Sequence, residues 1–199
     1  MFESLPNLPV ARRWRNQDNP RPAVVALIQR TDTSDSAEAV TQHLLIQRQK
    51  EPYIGKWALV GGGWDFGEEL SAAIVREVKE ETDLDTTFVG LRSVVNERIA
   101  PLETTDNGAH FLLFVCEVSA TSGEAREQAE GPVAWFSAEE LHAMKARGAI
   151  VPTDYAMIQR FGRAATAVPY VEAGVIAGNE EQTLDDLVRF EAAAPEGAH

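Results

Sequence analysis

The stretch GGWDFGEELSAAIVREVKEETDL spans residues 62–84 and decides how the rest of the chain is interpreted. Its glycines predict a tight turn, and the residues after them predict a helix that carries Glu77, Glu80 and Glu81 near its C-terminal end. Residues three and four apart are neighbours on a helix, so the three carboxylates share one face. Such like charges destabilise a helix by roughly 0.2–0.5 kcal/mol per pair. We therefore expect a nearby cation, and Mg²⁺ or Mn²⁺, which take oxygen ligands, is the natural candidate.

The same stretch resembles the signature of the Nudix hydrolases, G-x5-E-x7-R-E-U-x-E-E-x-G-U, in which U is a bulky aliphatic residue. The residues that fill their places in register are Gly62, Glu68, Arg76, Glu77, Val78, Glu80, Glu81 and Leu84. The second glycine is replaced by Asp83, at the point where the helix should end in a left-handed residue. A solvated acidic helix face would explain the glutamates, but it would not explain the spacing of Gly62, Glu68 and Arg76.

The resemblance implies an α+β fold, an α/β/α sandwich with a mixed β-sheet, over about residues 22–147. We interpret Glu77 and Glu81, one helical turn apart, as the leading metal ligands, with Glu80 assisting in catalysis or binding a second ion. The resemblance also implies that the carbonyl of Gly61 is a ligand. The expected chemistry is hydrolysis of a phosphoanhydride, because divalent ions neutralise the phosphate oxygens and lower the pKa of a bound water.

Glu68 and Arg76 are predicted to form a charge-assisted pair that holds the glutamate helix against the glycine loop at Gly62. In this interpretation Arg76 supports the metal ligands from behind. A purely structural ion pair is the alternative for these two residues, and it leaves the metal hypothesis intact.

A general base is also needed, and the resemblance implies a glutamate of the signature or one on a loop after the central strands. That loop offers Glu124, Glu127 and Glu130, of which we prefer Glu130. A solvated loop carboxylate is the alternative for each. Glu97 and Glu103 are weaker candidates on the preceding strand and turn.

Composition limits the function. The net charge of −13 argues against a protein that binds duplex nucleic acid, because that role needs a basic surface. The single Cys116 cannot form an internal disulfide, and no apolar run approaches the roughly 20 residues of a membrane helix. The N-terminus lacks the pattern of a secretory signal, so we expect a cytoplasmic protein with no membrane partner. The resemblance implies a small nucleotide-derived substrate.

We predict an N-terminal arm over 1–21, one domain over 22–147 and a C-terminal helical extension over 148–199. Trp14 in the arm suits stacking on a base, docking of a second copy in a homodimer, or packing on its own domain, and we expect the last. Strands are predicted in the runs AVVALIQR, HLLIQRQ, WALV, TTFVGLRSVVNERI, AHFLLFVCEVSA and PVAWF. Helices are predicted over 137–148, where Ser137 and Glu140 form a capping box, and over 153–165 and 180–193.

Substrate identity is the least determined feature. Family members that cleave ADP-ribose often carry a proline beyond the signature, and Pro101 lies near that place. We therefore favour ADP-ribose or a related nucleotide sugar, with a nucleoside triphosphate of the 8-oxo-dGTP kind as the alternative. A nucleotide sensor that binds without cleaving is the alternative of another class, although the predicted metal ligands are intact.

Overall fold

The computed structural model describes residues 19–32, 39–100, 108–162, 168, 170–176 and 186–192. Within these ranges the strands are β1 (Arg21–Asp32), β2 (Val40–Gln47), β3 (Trp57–Gly63), β4 (Asp85–Ile99), β5 (Ala109–Ser122), β6 (Val133–Ser137), β7 (Tyr170–Ile176) and β8 (Asp186–Ala192). The helices are α1 (Leu70–Thr82), α2 (Ala138–Ala146) and α3 (Pro152–Phe161). None of these helices is long and apolar enough to cross a lipid bilayer.

The strands form one mixed sheet in the order β6-β2-β3-β1-β5-β4-β7-β8. At its centre β1 runs antiparallel to β3 and parallel to β5. β1 also runs antiparallel to β2, with Gln29 opposite His43. β5 lies inside the sheet between β1 and β4, and the register of the long strand β4 against β5 is irregular. The six strands predicted from the sequence are all present.

Alternation along the strands produces two hydrophobic layers, one on each face of the sheet. On one face, Val24 of β1 packs with Ile74 and Val78 of α1. On the other, Leu27 packs with residues of α2 and α3, among them Leu141 and Met157. These side chains are essentially excluded from solvent, and burying one of this size contributes about 1.5–3 kcal/mol. The predicted α/β/α sandwich with a mixed sheet is confirmed.

Helix α1 ends as predicted, in a left-handed residue. Asp83 has φ 60° and ψ 7°, and its backbone N–H donates to the carbonyl of Lys79. The Lys79 ammonium lies 2.8 Å from an Asp83 carboxylate oxygen and 3.0 Å from one of Asp85. The side chain of Asp83 therefore takes part in an exposed charge cluster that glycine could not form.

The C-terminal part of the chain departs from its prediction. The capping box of α2 is present, and α3 occupies most of the helix predicted over 153–165. The helix predicted over 180–193 is wrong, because residues 186–192 form β8, which pairs antiparallel with β7. Of the described elements in the predicted helical extension, α3 alone is a helix. The predicted arm, with Trp14, lies outside the described residues.

A β-bulge in β8 explains why a helix was predicted over 180–193. Gly174 lies opposite Arg189, and the next residue, Val175, lies opposite Leu187, so Val188 is the extra residue of β8. The bulge lets Leu187 and Phe190 both pack on the core while Val188 remains exposed. Their spacing of three residues imitates the periodicity of an amphipathic helix.

We expect Asp83→Gly to be neutral or slightly stabilising. Glycine removes the left-handed strain, about 1 kcal/mol, while a looser unfolded chain and a lost exposed ion pair offset part of that gain. Asp83→Ala is the matched control, since it loses the same ion pair and keeps the Cβ atom. Denaturant unfolding should place the glycine variant about 1 kcal/mol above the alanine variant. Equal stabilities would show that the backbone conformation is not the controlling factor.

Candidate active site

Glycines bring the end of β3 against its neighbours. A Cβ atom on Gly61 would lie 2.1 Å from the carbonyl oxygen of Val24, and the φ of Gly61 is +149°. A Cβ atom on Gly62 would lie 2.5 Å from a carboxylate oxygen of Glu77. Gly61 is therefore required for the approach of β1, whereas a side chain at Gly62 would displace the flexible carboxylate end of Glu77.

Arg76 joins the glycine turn to the glutamate helix. Its Nε and Nη2 donate to the two carboxylate oxygens of Glu68 at 2.9 and 2.8 Å, so the predicted pair is present and bidentate. Nη1 donates to Glu77 at 2.7 Å, and Nη2 also donates to the carbonyl of Gly63 at 3.1 Å. Arg76 thus supplies part of the positive charge that the clustered carboxylates require. Its hydrogen bond to Glu68 lowers the pKa of that carboxylate.

The three glutamates of α1 occupy different environments. Glu81 is the most enclosed: the backbone N–H of Gly61 donates to it at 2.9 Å, and burial raises its pKa to about 7. Burial also raises the pKa of Glu77, and the hydrogen bond from Arg76 opposes that shift. The side chain of Glu80 is 59% exposed and lies 3.6 Å from Arg76. One helix face therefore carries two desolvated carboxylates and one solvated carboxylate.

These glutamates open into a cavity of about 360 Å³, which we call the acidic cavity. Its lining is Ile46, Arg48, Gln49, Lys50, Glu51, Gly61, Gly62, Glu77, Glu80, Glu81, Ala129 and Glu130. Glu130 holds Lys50 through both carboxylate oxygens, at 2.7 and 2.8 Å. Glu124 and Glu127 are exposed and do not line the cavity. Among the loop candidates for the general base, the structure brings Glu130 to the glutamates of α1.

The donors of the acidic cavity fit Mg²⁺ or Mn²⁺. Glu77, Glu80 and Glu81 present carboxylate oxygen atoms to the cavity, and hard divalent ions prefer oxygen ligands. Among the described residues, no three carboxylate, histidine or cysteine side chains converge as a closed metal cage. Mg²⁺ does not need one, because it is commonly held by one or two carboxylates together with waters and substrate phosphates. Glu77 and Glu81 can supply that pair, while Arg76 and the Gly61 N–H hold them in place.

A second cavity, of about 290 Å³, adjoins the acidic one and is mainly apolar. It is lined by Arg21, Pro22, Ala23, Val24, Val25, Arg48, Pro52, Tyr53, Ala58, Leu59, Gly61, Gly62, Gly63, Glu97, Phe111, Leu113, Val151 and Asp154. We call it the apolar cavity. Arg48, Gly61 and Gly62 belong to both linings, so the two cavities meet at these residues.

Two buried carboxyl groups face this apolar cavity. Thr153 donates its hydroxyl to Glu97 at 2.5 Å, and the backbone N–H of Leu59 donates to Asp154 at 2.6 Å. Burial raises the pKa of Glu97, and it raises that of Asp154 to about 7. Near neutral pH the site can therefore present a protonated carboxyl, which donates a hydrogen bond, beside hydrogen-bond acceptors.

The structure separates Glu97 from the other candidate bases, since it lines the apolar cavity and not the acidic one. Glu103 and Pro101 lie outside the described residues. Arg48 and Asp154 were not among the site residues predicted from the sequence. Asp154 lies in the first turn of α3, where an acidic residue is ordinarily explained by the helix dipole. The sequence therefore offered no reason to place it in a cavity. Arg48 could have been found from its position, because it is a charged residue directly after the apolar strand β2.

The fold and site define an α+β protein in which a glycine turn and a glutamate helix enclose an acidic cavity. The model of the NUDIX domain matches residues 19–161, and the chain belongs to this family. The NUDIX hydrolase from Nitrosomonas europaea has a similar structure, with 24% identity, a TM-score of 0.55 and coverage of 71% of this chain and 87% of that one. The MutT protein from Bacillus halodurans has 17% identity, a TM-score of 0.58 and coverage of 86% and 96%. At these identities the likeness shows the fold alone.

Curated relatives are similar over parts of their length. Putative nudix hydrolase 1 of Caenorhabditis elegans is 31% identical over 67% of this chain and 33% of its own length. Putative 8-oxo-dGTP diphosphatase 2 of Mycobacterium tuberculosis is 33% identical over 50% of this chain and 67% of its own length. ADP-ribose pyrophosphatase of Methanocaldococcus jannaschii is 36% identical over 42% of this chain and 46% of its own length. The chain thus spans about a third of the nematode relative, and the last two relatives are named for different substrates.

Because the pKa of Asp154 is raised in the folded state, its contribution makes the protein less stable as the pH rises. The pKa of Asp154 is about 7 in the folded state and 3.8 for an ordinary aspartate, so the folded state keeps the proton over a wider pH range. The stability that the protonated Asp154 contributes is therefore lost as the pH rises from about 3.8 to about 7. Asp154→Asn cannot ionise and can still accept from Leu59. Its melting temperature relative to the unmodified protein should therefore rise between pH 5 and pH 8, measured without metal.

Asp85→Asn is the control for this measurement. Asp85 is exposed, and its hydrogen bond from Lys79 lowers its pKa below 3.8, so it stays ionised in both states above about pH 5. The difference in melting temperature for Asp85→Asn should be constant from pH 5 to pH 8. A constant difference for Asp154→Asn would contradict the raised pKa.

Proposed function

We propose that this protein is a Mg²⁺- or Mn²⁺-dependent hydrolase of a phosphoanhydride bond in a nucleotide. The observation that supports it best is the junction of the two cavities at Gly61, Gly62 and Arg48. A nucleotide has one polyanionic part and one flat, largely apolar part with hydrogen-bonding edges. The acidic cavity with its divalent ion suits the phosphates, and the apolar cavity suits the nucleoside.

Glu77 and Glu81 are the proposed metal ligands, with Glu80 assisting. The ion, when bound, neutralises phosphate oxygens and lowers the pKa of a coordinated water. Arg76 fixes the orientation of Glu77, and the N–H of Gly61 fixes that of Glu81. The carbonyl of Gly61 stays a proposed additional ligand. Ordered ligands of this kind need little reorganisation when charge develops in the transition state.

Glu130 is the proposed general base. It lines the acidic cavity, unlike Glu124 and Glu127, and both of its oxygens are held by Lys50 in an exposed ion pair. Exposed ion pairs of this kind contribute little free energy, so a phosphate that attracts Lys50 can release Glu130 toward water. Glu80 is the second candidate for this role because it is solvated and lies on the same helix face.

For the substrate class, the geometry favours a nucleoside triphosphate, and this reverses the order suggested by Pro101. One nucleoside-sized cavity beside one polar cavity accommodates a nucleoside and a chain of phosphates. The Mycobacterium tuberculosis relative, matched over 67% of its length, is named for such a substrate. ADP-ribose, or a related nucleotide sugar, is the second candidate, supported by the Methanocaldococcus jannaschii relative at 36% identity. It carries a second sugar, which would have to be held outside the two cavities.

We expect Glu81→Gln to lower turnover by roughly 100-fold or more, about 2.7 kcal/mol or more in the activation barrier. The amide oxygen can still accept from Gly61, so the fold should be kept while an anionic ligand is lost. Without metal the variant should melt at the same temperature or higher at pH 8, because a buried charge has been removed. Glu139→Gln, an exposed acid on α2, is the control and should keep full activity. Unchanged turnover in Glu81→Gln would refute the metal assignment.

A substrate panel with Mg²⁺ and Mn²⁺ tests the substrate class. We expect nucleoside triphosphates, 8-oxo-dGTP among them, to give monophosphate and pyrophosphate with higher kcat/KM than ADP-ribose or nucleotide sugars. A tenfold preference for ADP-ribose, about 1.4 kcal/mol, would restore the first sequence-based choice. Tight nucleotide binding with no hydrolysis of any compound would instead support the sensor.

A further inference from the structure

Arg48 lies at the junction of the two cavities. It follows β2, is half-buried, and lines both the acidic and the apolar cavity. The other residues common to both linings, Gly61 and Gly62, have no side chains. A ligand that extends from one cavity into the other therefore passes Arg48.

The guanidinium is held in place from one side. Nε donates to the carbonyl oxygen of Pro52 at 2.6 Å, and Nη2 is 3.5 Å from the carbonyl oxygen of Glu51. Among the described residues these are the hydrogen-bond partners of the Arg48 guanidinium. An arginine carries five N–H donors, so those of Nη1 are not used by these two bonds. The loop between β2 and β3 thus fixes the cation and leaves donors for a ligand.

Arg48 also balances the acids around it. Burial is the main cause of the raised pKa of Glu81, Glu97 and Asp154, and Arg48 is among the groups that oppose the shift in all three. Its field therefore reaches carboxyl groups of both cavities. Lys50, two residues further on, lines the acidic cavity alone and is paired with Glu130.

We infer that Arg48 binds the phosphate group attached to the nucleoside and thereby makes the site specific for nucleotides over nucleosides. This inference rests on the proposed function, because it requires the nucleoside to occupy the apolar cavity. The phosphate next to the nucleoside is the part of the substrate that must lie where the cavities meet. Arginine suits it because its planar, permanently charged guanidinium can donate two parallel hydrogen bonds to phosphate oxygens.

The test measures binding rather than turnover. The full chain with Mg²⁺ is titrated with dGMP, deoxyguanosine, AMP and adenosine, by calorimetry and, for millimolar affinities, by ligand-observed NMR. Arg48→Gln should weaken the binding of a monophosphate by tenfold or more, about 1.4 kcal/mol, and should change the affinity for its nucleoside by less than twofold. Arg48→Lys keeps the charge but loses the fork of donors, so its loss for monophosphates should be intermediate.

Arg147→Gln is the matched control, because it removes an exposed arginine at the end of α2 that lines neither cavity. It should leave the ratio of monophosphate to nucleoside affinity within twofold of the unmodified protein. Equal losses for monophosphate and nucleoside in Arg48→Gln would overturn the inference and make Arg48 a counter-charge for Glu97 and Asp154. Unchanged monophosphate affinity would also overturn it.

The outcome also separates this inference from the proposed function. If the unmodified chain hydrolyses nucleotides and binds a monophosphate, but Arg48→Gln binds it equally well, the role of Arg48 alone is refuted. If the unmodified chain neither hydrolyses a nucleotide nor binds a monophosphate, the proposed function fails and the inference fails with it.

Discussion

The site depends first on the hydrogen bonds of Arg76. One guanidinium holds both carboxylate oxygens of Glu68, one oxygen of Glu77 and the carbonyl of Gly63. These bonds tie three parts of the chain together: the end of β3, the loop before α1 and the second half of α1. They also let Glu77 lie against the glycine turn, where a carboxylate without a cation would be unfavourable. The position of Glu77 against the glycine turn therefore follows from Arg76 and the space left by Gly62.

The sheet provides the rigid support for this arrangement. α1 packs through Ile74 and Val78 on one face, and α3 packs through Met157 on the other. Both helices are anchored in hydrophobic layers, and each brings one carboxylate to β3. Glu81 accepts from the N–H of Gly61, and Asp154 accepts from that of Leu59. This explains how Glu81 from α1 and Asp154 from α3 come to face two adjoining cavities. The packing energy of the core supports buried acids that would be unfavourable alone.

The carboxyl groups of the two cavities have different hydrogen-bond partners. Beside the acidic cavity Arg76 is hydrogen-bonded to Glu77, and in its lining Lys50 is hydrogen-bonded to Glu130. In the apolar cavity, Glu97 and Asp154 accept from neutral donors, the hydroxyl of Thr153 and the backbone N–H of Leu59. Burial raises the pKa of both, as it raises that of Glu81 in the acidic cavity. A charged group fits the first environment and a flat group with hydrogen-bonding edges fits the second. Arg48 is the basic side chain at the boundary between them.

Much of this protein could be predicted from the sequence because the deciding contacts are local. The face shared by Glu77, Glu80 and Glu81, the reach from Arg76 to Glu68, the left-handed Asp83 and the capping box of α2 all follow from separations of eight residues or fewer. Helical geometry fixes the shared glutamate face and the capping box, whereas Arg76 reaches Glu68 in the loop just before α1. The apolar runs and their alternation predicted the strands, and the resemblance to the Nudix hydrolases implied the mixed sheet.

The tertiary structure alone decided the features that join distant segments. Asp154 accepts from Leu59 across 95 positions, and Thr153 reaches Glu97 across 56. Arg48 comes to share a cavity with Asp154 and Glu97 only when β2, β4 and α3 are assembled. The bulge at Val188 gave β8 a helical spacing that only its pairing with β7 could resolve. Such contacts depend on strand register and helix packing, which are set by burial over the whole sheet and not by the residues of any one segment.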